Sequence, residues 1–118
     1  MDKIRDFKVH LQGTDVKYAA GDALPVFDGD FGPFGVMICA DRRWPETVRT
    51  LALKGADILC HSTNLVLPFC QDAMITRCIE NRVFAVTANR VGTESRAGQE
   101  FTFTGRSQVV TGSDSYTA

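Results

Sequence analysis

Three short apolar runs rich in β-forming residues, Phe34 to Cys39, Ile58 to Cys60 and Val83 to Ala88, alternate with two stretches whose apolar residues recur at helical spacing. This alternation leaves the chain few architectures. Each run is near-continuously apolar, as expected of strands covered on both faces. Between the first two, Pro45 suits an opening helical position, Trp44, Val48, Leu51 and Ala52 fall on one face, and Gly55 after Lys54 suits a left-handed cap, which predicts a helix from about Pro45 to Lys54. Between the second and third, Met74, Ile75, Cys78 and Ile79 predict another from about Gln71 to Asn81, with Pro68 marking the entry. The order β-α-β-α-β implies an α/β class with a layered sheet packed under helices.

Beyond Asn89 the pattern changes. Arg90 to Glu100 is polar and contains glycine, which reads as a loop, and Phe101 to Phe103 with Ser107 to Thr111 suits a hairpin around Gly105. Neither end looks like a domain boundary: Asp2 to Leu11 has no earlier element to pack on, and Val109 to Ala118 trails off in Thr, Gly, Ser and Asp directly after a strand-like run. The expectation is a chain cut from something longer. There is no internal repeat and no low-complexity linker.

With 118 residues the chain is one domain at most, and a formal net charge of -1 gives no electrostatic ground for a nucleic acid or an anionic membrane as partner. Apolar runs fall well short of the ~18 residues of a membrane span, and Met1 is followed by Asp-Lys-Ile-Arg-Asp rather than a secretory leader, so a cytoplasmic protein with a small-molecule site is expected. Cys39, Cys60, Cys70 and Cys78 form no CxxC pair and lie largely in apolar stretches, which reads as reduced thiols rather than a disulfide framework. A metal site from Cys60, His61, Cys70 and Cys78 lacks the close pairs that structural zinc requires, and His61 reads as a strand-end residue.

The segment Gly35-Val-Met-Ile-Cys-Ala-Asp-Arg-Arg-Trp-Pro-Glu places Cys39 where a buried strand ends and a polar turn leads into a helix. There a sulfur can face a pocket at the strand's carboxyl end. The oncoming helix and the cations Arg42 and Arg43 suit a thiol that must react as its anion, and the Ala40 N-H is available as an oxyanion donor. By local chemistry alone two readings stay open: a nucleophile, or a buried structural cysteine.

Those flanks, with Leu53-Lys-Gly-Ala-Asp, Arg77-Cys-Ile-Glu-Asn-Arg, Ala88-Asn-Arg-Val-Gly and Thr104-Gly-Arg-Ser in the same order, resemble the nitrilase (carbon-nitrogen hydrolase) superfamily from about Phe7 to Val110. The resemblance implies part of an αββα-sandwich fold, residues 1–118 being about the second half of a family domain whose N-terminal portion is absent. It implies a Glu-Lys-Cys triad with Cys39 as nucleophile and, from Phe7-Lys-Val-His-Leu, Lys8 as the lysine; His10 belongs to that motif. The general-base glutamate of the family lies upstream of the lysine and has no counterpart here. Glu46 and Glu80 match separate family positions of structural kind, and Asp15, ahead of Tyr18, is the one candidate for a further family acid. The implied chemistry is amide-type hydrolysis without metal or organic cofactor: Cys39 attacks a carbonyl carbon, Lys8 and the Ala40 N-H hold the oxyanion, and water releases the acyl-enzyme.

Within the superfamily, Ala40-Asp41 stands where true nitrilases usually carry Trp-Glu. The run Asp41-Arg-Arg-Trp-Pro-Glu-Thr resembles N-carbamoyl-D-amino acid amidohydrolases, which implies Arg42, Arg43 and Asn64 as binders of a substrate carboxylate. Guanidinium groups grip a carboxylate with two parallel bonds, so such a site selects acids over neutral amides. The opposing reading pairs Arg43 with Glu46 on the helix face and leaves Arg42 in solvent. Family members commonly form homo-oligomers through helices near the site. The rival for the whole chain is an inert folded or oligomer-forming fragment.

Overall fold

The computed structural model describes residues 22–112 throughout and, of residues 8–11 and 14–17, the backbone course alone. Lys8–Leu11 (β1) and Thr14–Lys17 (β2) pair antiparallel. The main sheet has five strands, Val26–Gly29 (β3), Gly32–Ile38 (β4), Ile58–Thr63 (β5), Phe84–Asn89 (β6) and Gln108–Val110 (β9), in the order β3-β4-β5-β6-β9. Strands β4, β5 and β6 run parallel, and β3 and β9 close the edges antiparallel. The three expected apolar runs are thus the central strands, and the α/β class is the one found.

Two helices make the crossovers. Pro45–Leu53 (α1) opens on its proline, and the Gly55 N-H bonds to the Ala52 carbonyl while Gly55 itself takes φ +96, the left-handed cap expected there. Cys70–Asn81 (α2) ends in Arg82 at φ 53. Val48 and Leu51 of α1 and Met74 and Cys78 of α2 pack on Met37, Leu59 and Ala85 of the sheet to form the core. Gly35 is needed where α1 crosses β4, because a Cβ there would lie 3.0 Å from both Leu51 methyls. The stripe expected on α2 is divided by this packing. Met74 and Cys78 face the sheet, while Ile75 and Ile79 face outward.

Successive residues of a strand point to opposite faces, and the register sorts the sheet into rows. Gly35, Leu59, Ala85 and Val110 lie level under the helices, as do Met37, His61, Thr87 and, beside Thr87, Gln108. On the other face Val36, Cys60, Val86 and Val109 lie level, with Phe34, Ile58 and Phe84 in the next row. Val36, Phe84, Val86 and Val109 are exposed. Burial on both faces, expected from the apolar runs, is therefore met on one face only among the described residues.

The second departure lies downstream. Val91–Arg96 (β7) and Gln99–Thr104 (β8) form the hairpin, turning at Ala97 and Gly98 with φ 49 and 77, a primed two-residue turn. The sequence reading made this stretch a loop and put the hairpin at Gly105. Instead Gly105 and Arg106, at φ 60 and 55, lead the chain into β9, which pairs with β6 rather than with β8. A hairpin largely exposed to solvent needs no apolar alternation, so its polar strands carried no period-two signal.

Candidate active site

Strand β4 stops because its next backbone donor is taken by a side chain: the Ile38 N-H donates to the Asp41 carboxylate at 2.8 Å. Cys39 then adopts φ 43, a left-handed conformation costly for a residue with a Cβ, and opens a 3-10 turn over Cys39–Arg43. The Trp44 N-H closes that turn on the Asp41 carbonyl, and Pro45 starts α1. The chain reverses sharply at Cys39. Strained non-glycine positions of this kind need surrounding structure to hold them.

The surroundings supply it. Arg42 is buried, and its guanidinium donates from Nη1 to the Cys39 carbonyl at 2.8 Å, from Nε to the Cys70 carbonyl at 3.1 Å and from Nη2 to Cys70 Sγ at 2.5 Å. The Arg42 carbonyl accepts from Arg77 Nε at 3.3 Å. His61, one strand over, places Nε2 3.0 Å from the same Cys39 carbonyl and Nδ1 3.2 Å from Thr87 Oγ1. Burial pushes the His61 pKa below its usual 6.5; the bond to Cys39 opposes this and the Arg42 charge adds to it. Burial likewise pushes the Asp41 carboxyl above 3.8, against the lowering effect of its bond from Ile38. Cys78 is pushed up to about 11 by burial, as befits a core thiol.

The sequence-expected residues separate accordingly. Cys39 and Ala40 directly follow β4, Arg43 ends the turn that Cys39 opens, and Asn64 directly follows β5, whose Ser62 is level with Ile38, so all four follow the carboxyl ends of neighbouring parallel strands. Cys39 and Ala40 are half-buried, and Arg43 and Asn64 are exposed. Arg42, expected beside the substrate, is instead an interior residue at 4% exposure with its guanidinium committed to the protein. The Arg43–Glu46 pair is not formed. Glu80 pairs with Arg77 at 3.1 Å. The side chains of Lys8, His10 and Asp15, and all of Tyr18, lie outside the described residues.

Two of the motifs quoted above meet behind the site. Asn89 Oδ1 accepts from Thr63 Oγ1 and the Leu65 N-H, each at 2.7 Å, and its Nδ2 donates to Thr104 Oγ1 at 3.0 Å and the Gly105 carbonyl at 2.7 Å. These bonds fix the loop after β5, which carries Asn64, against the start of the β8–β9 connection. All four cysteines are unpaired, and among the described residues no group of His, Cys, Asp or Glu is arranged to hold a metal ion. No helix among the described residues is long and apolar enough to cross a membrane. His61 was missed as a site residue by the sequence reading. The available signal was its parity with Leu59, which turns it toward the helices rather than outward.

The carbon-nitrogen hydrolase family model matches residues 4–112. A nitrilase of Pyrococcus abyssi is 49% identical over 89 residues, covering 74% of this chain and 34% of that protein. The chain thus spans about a third of the length of the curated relatives it matches, which include a probable nitrilase of Schizosaccharomyces pombe covered to 38%. Among solved structures, a carbon-nitrogen hydrolase of Helicobacter pylori G27 superposes with a TM-score of 0.75 at 27% identity, over 80% of this chain and 39% of that one. A variant of the amidase from Nesterenkonia sp. AN1, with the acetamide moiety of fluoroacetamide added covalently at its active-site cysteine, superposes with a TM-score of 0.70 at 27% identity, over 89% of this chain and 41% of that one. With the match running over nearly the whole sequence and the sheet and helices superposing on solved members, the chain belongs to the carbon-nitrogen hydrolase family.

Proposed function

We propose that Cys39 is the nucleophile of a hydrolase acting on a small-molecule amide or N-carbamoyl compound, by way of a cysteine acyl-enzyme, with ammonia as the leaving group. The observation that carries this is the turn at Cys39: a left-handed cysteine at the carboxyl end of a parallel strand, its carbonyl held from two sides and its thiol half-buried beside exposed polar residues. A purely structural cysteine gains nothing from such strain. The covalent adduct at the active-site cysteine of the Nesterenkonia amidase supports the same role here. In this reading the Ala40 N-H stabilises the oxyanion together with Lys8, and a general-base glutamate supplied from outside this sequence takes the thiol proton, passes it to ammonia and activates water.

For the substrate, Arg43 and Asn64 are exposed, follow the carboxyl ends of β4 and β5 and suit a carboxylate, which favours an acid-bearing amide or N-carbamoyl amino acid. Arg42 is left out of that role because it is buried and each of its three guanidinium nitrogens already donates to Cys39 or Cys70. Two relatives, at 49% and 41% identity, bear nitrilase names, so nitriles belong in the panel beside amides. The test is the intact mass of the chain after incubation with simple amides, nitriles and N-carbamoyl amino acids, with Cys39→Ala and Arg43→Ala alongside. An adduct lost in Cys39→Ala is expected, its mass naming the acyl group, and Arg43→Ala should weaken labelling by acid-bearing compounds alone. No adduct from any compound, while a version extended upstream turns over, would leave the chain as an inert piece of the site.

A further inference from the structure

The Cys39 carbonyl and the Ala40 N-H belong to one peptide group. A trans peptide is rigid and planar, and its C=O and N-H point in opposite directions, so whatever fixes the oxygen fixes the donor. Every peptide bond described is trans. The oxygen is fixed here by two donors from different parts of the fold: Arg42 Nη1 at 2.8 Å and His61 Nε2 at 3.0 Å. A carbonyl only accepts, so the ring proton of His61 sits on Nε2, and Nδ1 is left to accept from the Thr87 hydroxyl. Thr87 is itself buried and level with His61 on the neighbouring strand.

We infer that His61, together with Arg42, is a positioning residue for the oxyanion site: the imidazole and the guanidinium grip the Cys39 carbonyl and thereby aim and polarise the Ala40 N-H. Donors to a carbonyl strengthen the N-H across the same amide, because hydrogen bonds polarise one another in a low-dielectric setting. The chain Thr87–His61–Cys39 thus runs from β6 through β5 to the end of β4, and Arg42 ties the same oxygen to the first turn of α2 through Cys70. His61 touches no substrate in this arrangement. It acts through the peptide.

This inference rests on the reading of Cys39 as nucleophile, and the experiment separates the two. The same sulfur attacks two reagents with different needs. With p-nitrophenyl acetate the thiolate adds to the ester carbonyl, a C-S bond forms, p-nitrophenolate leaves, and an oxyanion develops on the way. With iodoacetamide the thiolate displaces iodide and no oxyanion forms. Rates at Cys39 and Cys60 are read by peptide mass for the full chain, for His61→Leu and for His61→Gln, whose amide nitrogen can replace Nε2. Loss of an oxyanion donor costs about 100-fold or more, so misaiming one should slow acylation of His61→Leu by about 10-fold or more, with alkylation held within about 2-fold. His61→Gln should recover most of the acylation rate.

An equal fall in both rates, or in neither, overturns the inference while leaving Cys39 as nucleophile. Acylation of Cys39 in the unaltered chain no faster than that of Cys60 overturns the nucleophile reading and the inference with it. Should His61→Leu fail to fold, nitrogen NMR of the unaltered chain decides: a His61 ring protonated on Nε2 supports the grip, and one protonated on Nδ1 overturns it.

Discussion

Burial gives His61 a thermodynamic signature distinct from its part in the site. Its pKa is lowered in the folded chain, first by desolvation, so as pH falls below 6.5 the unfolded chain takes up a proton that the native one refuses. Stability is therefore complete above that value and declines as pH drops from 6.5 toward the native pKa, at up to about 1.4 kcal/mol per pH unit. Asp41 works in the opposite sense: its raised pKa makes the native state the better proton binder, so its contribution grows as pH falls toward 3.8. Urea melts of the unaltered chain and of His61→Gln across pH 7 to 5 isolate the histidine, and the variant should lack the decline. Equal slopes would mean that His61 is not buried as a neutral ring. At this scale the position of Cys39 was legible, because strand end, polar turn and proline are local signals. The duties of Arg42 and His61 were not. Their partners, Cys70 and Thr87, lie 28 and 26 residues further along and reach them only through the sheet and α2.

Among the elements, the exposed hairpin offers a direct test of local strain. Ala97 occupies the first position of the primed turn at φ 49, a conformation that asparagine and glycine tolerate and alanine does not favour. Ala97→Asn makes the turn Asn-Gly and should stabilise the chain by about 0.5–1 kcal/mol in thermal or urea melts, without altering labelling of Cys39. A loss of stability would show that the hairpin turns elsewhere. The two helices were legible nearly to the residue, α1 because a proline at the start and a glycine past the end act within one turn of chain, and α2 because its apolar residues recur at helical spacing. The hairpin was not, since Val91, Thr93 and Ser95 bury little on either side and leave no alternation to read. Strand β9 was misassigned for a related reason: three residues, Gln108–Val110, carry too little pattern to reveal that their partner is β6 rather than β8.

For the molecule as a whole, the five-stranded sheet presents, among the described residues, one covered and one open face. Val36, Phe84, Val86 and Val109 lie exposed in adjoining rows, a contiguous apolar patch of the kind soluble domains seldom leave bare. The chain should accordingly bind an environment-sensitive hydrophobic dye in its folded state. Val36→Lys with Val86→Lys should cut that fluorescence while changing stability by no more than roughly 0.5 kcal/mol. Unchanged fluorescence would place the dye elsewhere and show this face to be covered. The α/β class, the central β-α-β-α-β order, both helices and the cysteine at the end of β4 were determined by the sequence alone, because periodicity, caps and turn residues act over a few positions and survive without any partner. Tertiary structure decided which sheet face is covered, which side chain of the Arg42-Arg43 pair turns inward, and that a histidine from the next strand holds the Cys39 carbonyl. Those outcomes depend on register between strands and on helices packed across them, and a one-residue shift in register would exchange every inward and outward side chain while leaving the local pattern unchanged.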